Sequence, residues 1–537
     1  MVRQKHKEDD FEAGIATSLV GQCDYTEAPS TQYDAELCLF PEGLLTFVIT
    51  TQSQEWEKLR AAIGSDPSPT FLVEVAKSVS LRGTLSVLRD GVDLYGCRFR
   101  MVYFEPSSSR NPDLFKKFSQ NQLTVIRQVE YSTKNRNSID LVLFLNGLPI
   151  FTSELKNPAT GQDVTDAVRQ YRRDRHPKGE PFLAFGRCLA HFAVDWNQVQ
   201  VTTKLEGSAT YFIPFNRGWN GGAGNPPPQA IGGPKYATEY LWTQTWSKRS
   251  VLDLVQHFLH HEPTKSRRRS GRVLGKLIFP RYHQLDAVRR LLGQAQREGP
   301  GHNYLVQHSA GSGKSNTIAW LAHRLSQLMD NEDERIFNAI IVITDRKVLD
   351  KQLQKTVRTY ERTRGLVATI DGTSAQLREA LESGKQIIVT TLHKFPVIVD
   401  SIGELAGQRF ALLIDEAHSS QGGSMHQQMT KVLTADGEEG VERDYEDLIH
   451  DELAARGAQT NLSVFAFTAT PKSKTLELFG RQRAEDGKFE AHSLYSMRQA
   501  IEEGFILDVL QNYTTYSTYW KLNKDQPEDP EVDSKKA

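Results

Sequence analysis

Residues Tyr304–Leu328 read YLVQHSAGSGKSNTIAWLAHRLSQL. A short apolar run, Tyr304–Gln307, passes through a Gly/Ser turn into a helical pattern, Asn316–Leu328. Strand, glycine-rich loop and helix in that order form the context in which backbone amides can cradle phosphates. Gly311 and Gly313 let the loop turn inward on either side of Ser312. Lys314 adds a point charge near the terminal phosphates, and the Ser315 hydroxyl suits a Mg²⁺ ligand. His308 stands where the strict GxxxxGK pattern has its first glycine.

Around this loop, apolar runs alternate with helical stretches: Ala339–Thr344, Gln386–Thr390, Phe410–Ile414 and Ser463–Phe467. Such alternation predicts a parallel sheet covered by helices. Asp415-Glu416-Ala417-His418 follows one run, where an acidic pair at a strand tip can hold a metal (Asp415) and activate water (Glu416). Upstream, Phe279–Ala287 (FPRYHQLDA) places Gln284 where an adenine-reading glutamine would stand. Thr468-Ala469-Thr470 lies downstream. Together these motifs resemble the first RecA-like lobe of a superfamily 2 helicase motor. The resemblance implies that GSGKS binds ATP, that DEAH handles Mg²⁺ and water, and that Thr468 and Thr470 couple hydrolysis to DNA movement. It also implies DNA-backbone contacts from Thr344-Asp345-Arg346 and from Thr390–Phe395, with Arg346, Thr391 and Lys394 as the candidates.

A second constellation lies in Ser138–Pro158, SIDLVLFLNGLPIFTSELKNP. Two strand-like runs flank Asn146-Gly147, a strong hairpin signal. Asp140 opens the first strand, while Glu154 and Lys156 close the second, two apart and on one face. Two carboxylates on one side of a sheet can hold Mg²⁺ against a phosphodiester, and a lysine can orient the attacking water. The pattern resembles the D…ExK core of PD-(D/E)xK nucleases, with Ile139 in place of the usual proline. Geometry sets a condition. A two-residue turn alone puts Asp140 opposite Ser153, with Asp140 and Glu154 on opposite faces, so the site requires an odd-length loop or an equivalent bulge. Gln170 and Tyr171 on the next helix could support the site or touch DNA, and Glu12 could add a third carboxylate.

The 537 residues are too many for one core and suggest about three or four domains. With 65 Lys+Arg against 66 Asp+Glu, the chain is no basic nucleic-acid coat, so DNA contact must be local. No apolar run approaches a membrane span, and the four cysteines lack CxxC spacing, which excludes a zinc ribbon and suits a cytoplasmic protein. Breaks at Trp219–Pro234 and Glu262–Arg272 and a polar insertion at Ala435–Thr460 divide the rest. The expected layout is an α/β nuclease domain over 1–250, a linker over 251–275, the motor lobe over 276–500, and the entry to a missing second lobe with a disordered tail over 501–537.

A nuclease core before a motor lobe narrows the field. NGLPIFTSELKNP, AVRQYRRDR, HFAVD (His191–Asp195), PFNRG (Pro214–Gly218), GAGNP (Gly222–Pro226), YLW (Tyr240–Trp242), DEAHSSQ and YSMRQAIEEGFILDVLQNYTTY (Tyr495–Tyr516) resemble the restriction (R) subunit of type I restriction-modification enzymes. The resemblance covers about residue 10 to about residue 520. It implies Mg²⁺-dependent cleavage of unmethylated DNA, ATP-driven translocation on double-stranded DNA, and assembly with methyltransferase and specificity subunits, which would bring S-adenosylmethionine and sequence recognition. A free-standing or type III-like helicase-nuclease is the alternative, as is a DNA- or partner-binding module without turnover. Type III enzymes carry the nuclease after the motor, against the order seen here.

The 67 residues from Pro471 to Ala537 cannot hold a second motor lobe of roughly 150 residues. The expectation is an N-terminal portion of an R subunit, without the second-lobe arginine that typically contributes about 10³–10⁵ in rate. The purified chain should therefore show steady-state ATPase near background, even with DNA and Mg²⁺. Vigorous DNA-stimulated turnover in a phosphate-release assay would refute this.

Overall fold

Strands joined by tight turns in the first third of the chain assemble into a seven-stranded mixed sheet. In this computed structural model, residues 2–108, 110–229, 233–262, 267–268, 271–272, 275–344, 347–360, 365–370, 376, 379–380, 383–391, 407–415 and 460–507 are described. The strands of the first sheet are β1 (Tyr25–Ala28), β2 (Leu123–Glu130), β3 (Ser138–Leu145), β4 (Leu148–Leu155), β5 (Ala190–Val194), β6 (Val199–Thr202) and β7 (Ile213–Pro214). They lie side by side in chain order. The β1–β2 and β4–β5 pairs are parallel and the others antiparallel. Helices α1 (Val2–Gln22), α2 (Pro41–Thr51) and α3 (Val164–Arg173) flank it.

The β3–β4 hairpin meets the geometric condition through a bulge. Its turn is two residues long, with Asn146 and Gly147 both at positive φ (51° and 80°), and Leu145 pairs with Leu148. Phe144 then pairs with Pro149, but Leu143 pairs with Phe151, so Ile150 is an extra residue. Proline suits this place because the ladder breaks beside it, and the Ile150 carbonyl accepts from Leu189 N instead. From the bulge on, the ladder runs Val142 to Thr152 and Leu141 to Ser153. One step further, Asp140 faces Glu154.

The turn is buried. Asn146 accepts from Gln122 N at 2.7 Å and donates to Met101 O at 2.9 Å, and Phe40 N donates to Gly147 O. A β-carbon on Gly147 would stand 2.4 Å from Leu44 N of α2 and 2.6 Å from Phe40 O.

The second sheet is wholly parallel. Its strands are β8 (Asn303–His308), β9 (Ala339–Thr344), β10 (Val367–Thr369), β11 (Ile387–Thr391), β12 (Phe410–Asp415), β13 (Leu462–Thr468) and β14 (Ser493–Tyr495), in the order β10-β11-β9-β12-β13-β8-β14. Its inner strands β9, β11, β12 and β13 are buried runs rich in Val, Ile, Leu and Phe, as a sheet covered on both faces requires. This is the parallel sheet expected from the alternation of runs, with the RecA-like α/β architecture that the motif resemblance implied.

The expected linker over 251–275 needs correction in its first nine residues. Helix α4 (Lys248–Asp253) runs into a π-helical turn, Leu254–Phe258, and Val251, Leu254, Val255 and Phe258 are fully buried. Arg89 Nε donates to Val255 O at 2.8 Å, and Trp320 Nε1 donates to Phe258 O at 3.0 Å. The segment is thus held by the N-terminal unit on one side and the motor on the other. One apolar core continues from Phe11 and Leu143 through Trp246 and Phe258 to Trp320 and Val342.

The start of the exit segment packs on the two units: Ala223 N donates to Glu502 Oε2 at 2.7 Å, and Arg281 lies 3.5 Å from the centroid of the Phe505 ring. The tail beyond 507 and most of the insertion over 435–460 lie outside the described residues. Among those described, no helix is long and apolar enough to cross a membrane, and all four cysteines are buried thiols.

Replacing Gly147 with alanine forces a side chain at positive φ into the backbone of α2. The loss should be about 2–4 kcal/mol in urea unfolding. A loss under about 0.5 kcal/mol would show that the hairpin is not pinned at this glycine.

Candidate functional site

The bulge aligns β3 and β4 so that their ends away from the turn carry a cluster of charge. Glu154 is fully buried, and Lys156 and Glu12 are nearly so. Asp140 Oδ2 accepts from Leu155 N at 2.7 Å, and Oδ1 lies 3.4 Å from Gln128 Nε2. Glu12 on α1 joins from the side, with Oε1 2.7 Å from Arg127 Nε and Oε2 2.7 Å from Gln128 Nε2. Glu154 Oε1 accepts from Arg175 Nε at 2.6 Å. Among the described residues, its other oxygen, Oε2, is buried with no hydrogen-bond partner.

Burial pushes the Glu154 carboxyl well above the ordinary carboxylate range, and the Asp140 charge pushes the same way; Arg175 and Lys156 pull it back. Burial likewise raises Glu12. Arg127, Arg175 and Lys156 balance the carboxylates, and the acceptor of the site left unsatisfied among the described residues, Glu154 Oε2, is the atom that suits a divalent cation. Among the described residues, no group of three His, Cys, Asp or Glu is placed to hold a metal. Two carboxylates fit Mg²⁺, which keeps most of its ligands as water and substrate oxygens.

Tyr171 on α3 is fully buried, which removes it from any DNA surface and corrects that half of the expectation. Its hydroxyl lies 2.8 Å from Thr152 Oγ1, which is 2.7 Å from His191 Nδ1, so it braces β4 and β5 behind the carboxylates. Gln170 is partly exposed on the same helix.

Around the phosphate loop, the parallel strands end level with one another. Thr344 pairs with Thr391, Asp415 with Phe467, and Gln307 with Thr468. The loop, Asp415, Thr391, Thr468 and Thr470 therefore share the carboxyl edge of the sheet, where ligands of open α/β sheets bind. Gly311 and Gly313 sit at φ 72° and 78°. Lys314 opens helix α6 (Lys314–Leu325), its Nζ 3.3 Å from His308 O, and Ser315 follows in the first turn. Ser312 Oγ is buried without a hydrogen-bond partner.

Gln284, in the first turn of α5 (Tyr282–Glu298), donates to Ser312 O at 3.1 Å and Gly313 O at 3.0 Å. His308 is fully buried, its Nε2 3.0 Å from Ser493 Oγ on β14. The residue replacing the first glycine thus ties the loop to the exit strand. Arg346, Lys394 and Glu416 lie outside the described residues.

Sequence reasoning missed Arg175, Arg127 and Gln128. Arg175 follows Arg172 and Arg173 in a run that looks solvated. Gln128 carries one signal visible only in the fold, a positive φ of 49° inside β2. That distortion sits opposite Asp140 in the β2–β3 ladder.

Comparison with known proteins gives two family matches: the type I restriction enzyme R protein N terminus over residues 103–210, and the SWI2/SNF2 ATPase over residues 283–437. The first contains Asp140, Glu154 and Lys156; the second contains the phosphate loop and Asp415. The SauMSSORF170P endonuclease subunit of a type I restriction enzyme from Staphylococcus aureus (strain MSSA476) is 23% identical over 409 residues, 74% of this chain and 37% of that protein. The SsaAORF53P subunit of Staphylococcus saprophyticus is 22% identical over 447 residues, 80% of this chain and 39% of that protein. The HindI subunit of Haemophilus influenzae is 24% identical over 429 residues, 74% and 35% of the two chains.

The chain is similar to type I restriction endonuclease subunits. It spans little more than a third of the length of these curated relatives. Among solved structures, the Pyrococcus furiosus Hef helicase domain is similar at 15% identity, over 36% of each chain, with a TM-score of 0.24.

His191, locked behind the site, has its pKa lowered by burial to about 3. The unfolded chain protonates this histidine near pH 6.5 and the native state does not, so its contribution is intact above pH 6.5 and declines as pH falls toward 3. The slope is about 1.4 kcal/mol per pH unit. A His191→Gln variant should lose less stability between pH 6.5 and 5 than the parent in denaturant titrations. Parallel losses would refute the assignment.

Proposed function

We propose that this chain is the nuclease and first motor lobe of a type I restriction R subunit, cutting double-stranded DNA with Mg²⁺ and translocating it with ATP. The observation that supports the nuclease half is the bulge at Ile150: the ladder beyond it pairs Leu141 with Ser153, and Asp140 and Lys156 lie close enough to Glu154 to shift its pKa. Bound Mg²⁺ supplies Lewis acidity at the phosphodiester and a more acidic water. Asp140 and Glu154 would hold it, Glu154 through its unpartnered Oε2. Lys156 orients the attacking water and faces the charge that develops on the phosphate. Glu12, fixed by Arg127 and Gln128, closes the negative wall behind Asp140.

In the motor, the backbone of Gly311–Gly313 and the Lys314 ammonium hold the phosphates of ATP. Ser315 and Asp415 hold its Mg²⁺, and Glu416 positions the water. Gln284 reads the adenine from a place where its amide already touches the loop. Arg346, Thr391, Lys394, Thr468 and Thr470 contact the DNA backbone or relay its movement from the same edge of the sheet. Methyltransferase and specificity subunits supply the recognition sequence and S-adenosylmethionine.

Reconstitution with candidate partner subunits on unmethylated circular DNA tests this reading. Glu154→Ala should keep ATPase activity while cleavage falls at least about a hundredfold, and Lys314→Ala should abolish productive ATP use. A Glu154→Ala complex that lost ATP hydrolysis would overturn the division into two sites.

A further inference from the structure

Arg175 lies two residues beyond α3, and nothing in its sequence neighbourhood sets it apart from the exposed Arg173. In the fold it is 7% exposed and clasps two strands at once: Nε is 2.6 Å from Glu154 Oε1 on β4, and Nη2 is 2.6 Å from Ser138 O at the start of β3. The guanidinium also stands over the Tyr131 ring, 5.8 Å from its centroid. One carboxylate oxygen of Glu154 is held at close range, and among the described residues the other is buried with no hydrogen-bond partner.

We infer that Arg175 is a positioning residue of the carboxylate site: it anchors Oε1 of Glu154 to the β3 backbone and leaves Oε2 as the oxygen that receives the divalent cation. The inference rests on the nuclease reading above and adds a residue to it. The planar fork matters, because a guanidinium reaches a carboxylate and a carbonyl together, whereas an ammonium is a single point of attachment. Without the clasp, Glu154 can turn about its side-chain bonds, and the two strands lose a bridge beside Asp140. Partners that orient metal ligands are typically worth about 10–100-fold in metal affinity.

The test is direct binding of Mn²⁺, followed by the EPR signal of the free ion, with the 537-residue chain and no nucleotide. Asp140→Asn gives the baseline that retains any binding at the phosphate loop. Binding above that baseline should weaken about tenfold or more in Arg175→Gln and recover in part in Arg175→Lys, with melting curves confirming that the variants fold. Affinity in Arg175→Gln equal to the parent's, or tighter, would overturn the inference, since the arginine would then be indifferent to the cation or compete with it. If neither variant folds, Arg175 is a structural residue and the inference falls. If the parent itself binds no more Mn²⁺ than Asp140→Asn, it is the nuclease reading that has failed.

Discussion

Side chains on a strand alternate with a period of two, so one extra residue in a hairpin exchanges every contact beyond it between the two faces of the sheet. Ile150 is that residue. With it, Asp140 and Glu154 face each other across β3 and β4; without it, the same strands would put Ser153 opposite Asp140. The bulge stays in place because the turn before it is fixed in the core, where Gly147 lies against the backbone of α2 and Asn146 bonds to two segments at once. Turn, bulge and carboxylates thus form one unit, whose far end is set by packing at its near end.

What accumulates at that far end is electrostatically costly. A carboxylate in a fully buried position loses its hydration, and an adjacent carboxylate adds repulsion. Arg175 offsets part of this from the end of α3, and Lys156 adds a second positive charge from the same strand as Glu154. The balance is left incomplete at one oxygen. An unmet acceptor in a site that is otherwise well bonded is an atom a bound cation can satisfy.

The motor lobe solves a different problem by different means. All seven strands of its sheet are parallel, so every carboxyl end opens on one edge, and the phosphate loop, Asp415 and the threonine tips meet there without any special register. The two units are not beads on a string. Residues 251–259 pack between them, and the loop around Gly218–Ala223 lies on helix α7 (Met497–Glu502), while Tyr495 stacks on His283 at 3.7 Å beside the phosphate loop. An apolar core that continues across both units makes their relative placement part of the fold.

The amino-acid sequence by itself determined the parts whose signals are local. A glycine-rich loop between a strand and a helix, apolar runs at strand length and an Asn-Gly turn depend on near neighbours, so GSGKS, the parallel lobe and the β3–β4 hairpin were all legible. The same holds for the requirement of a bulge, since strand periodicity demands it if Asp140 and Glu154 are to meet. Tertiary structure alone decided that the extra residue is Ile150 and that 251–259 is a buried strut. It alone decided that Tyr171 is a brace, and that Arg175, Arg127 and Gln128 belong to the site. Each depends on contacts between residues far apart in the chain, and burial, not residue type, separates the arginine that holds Glu154 from its exposed neighbours in the same basic run.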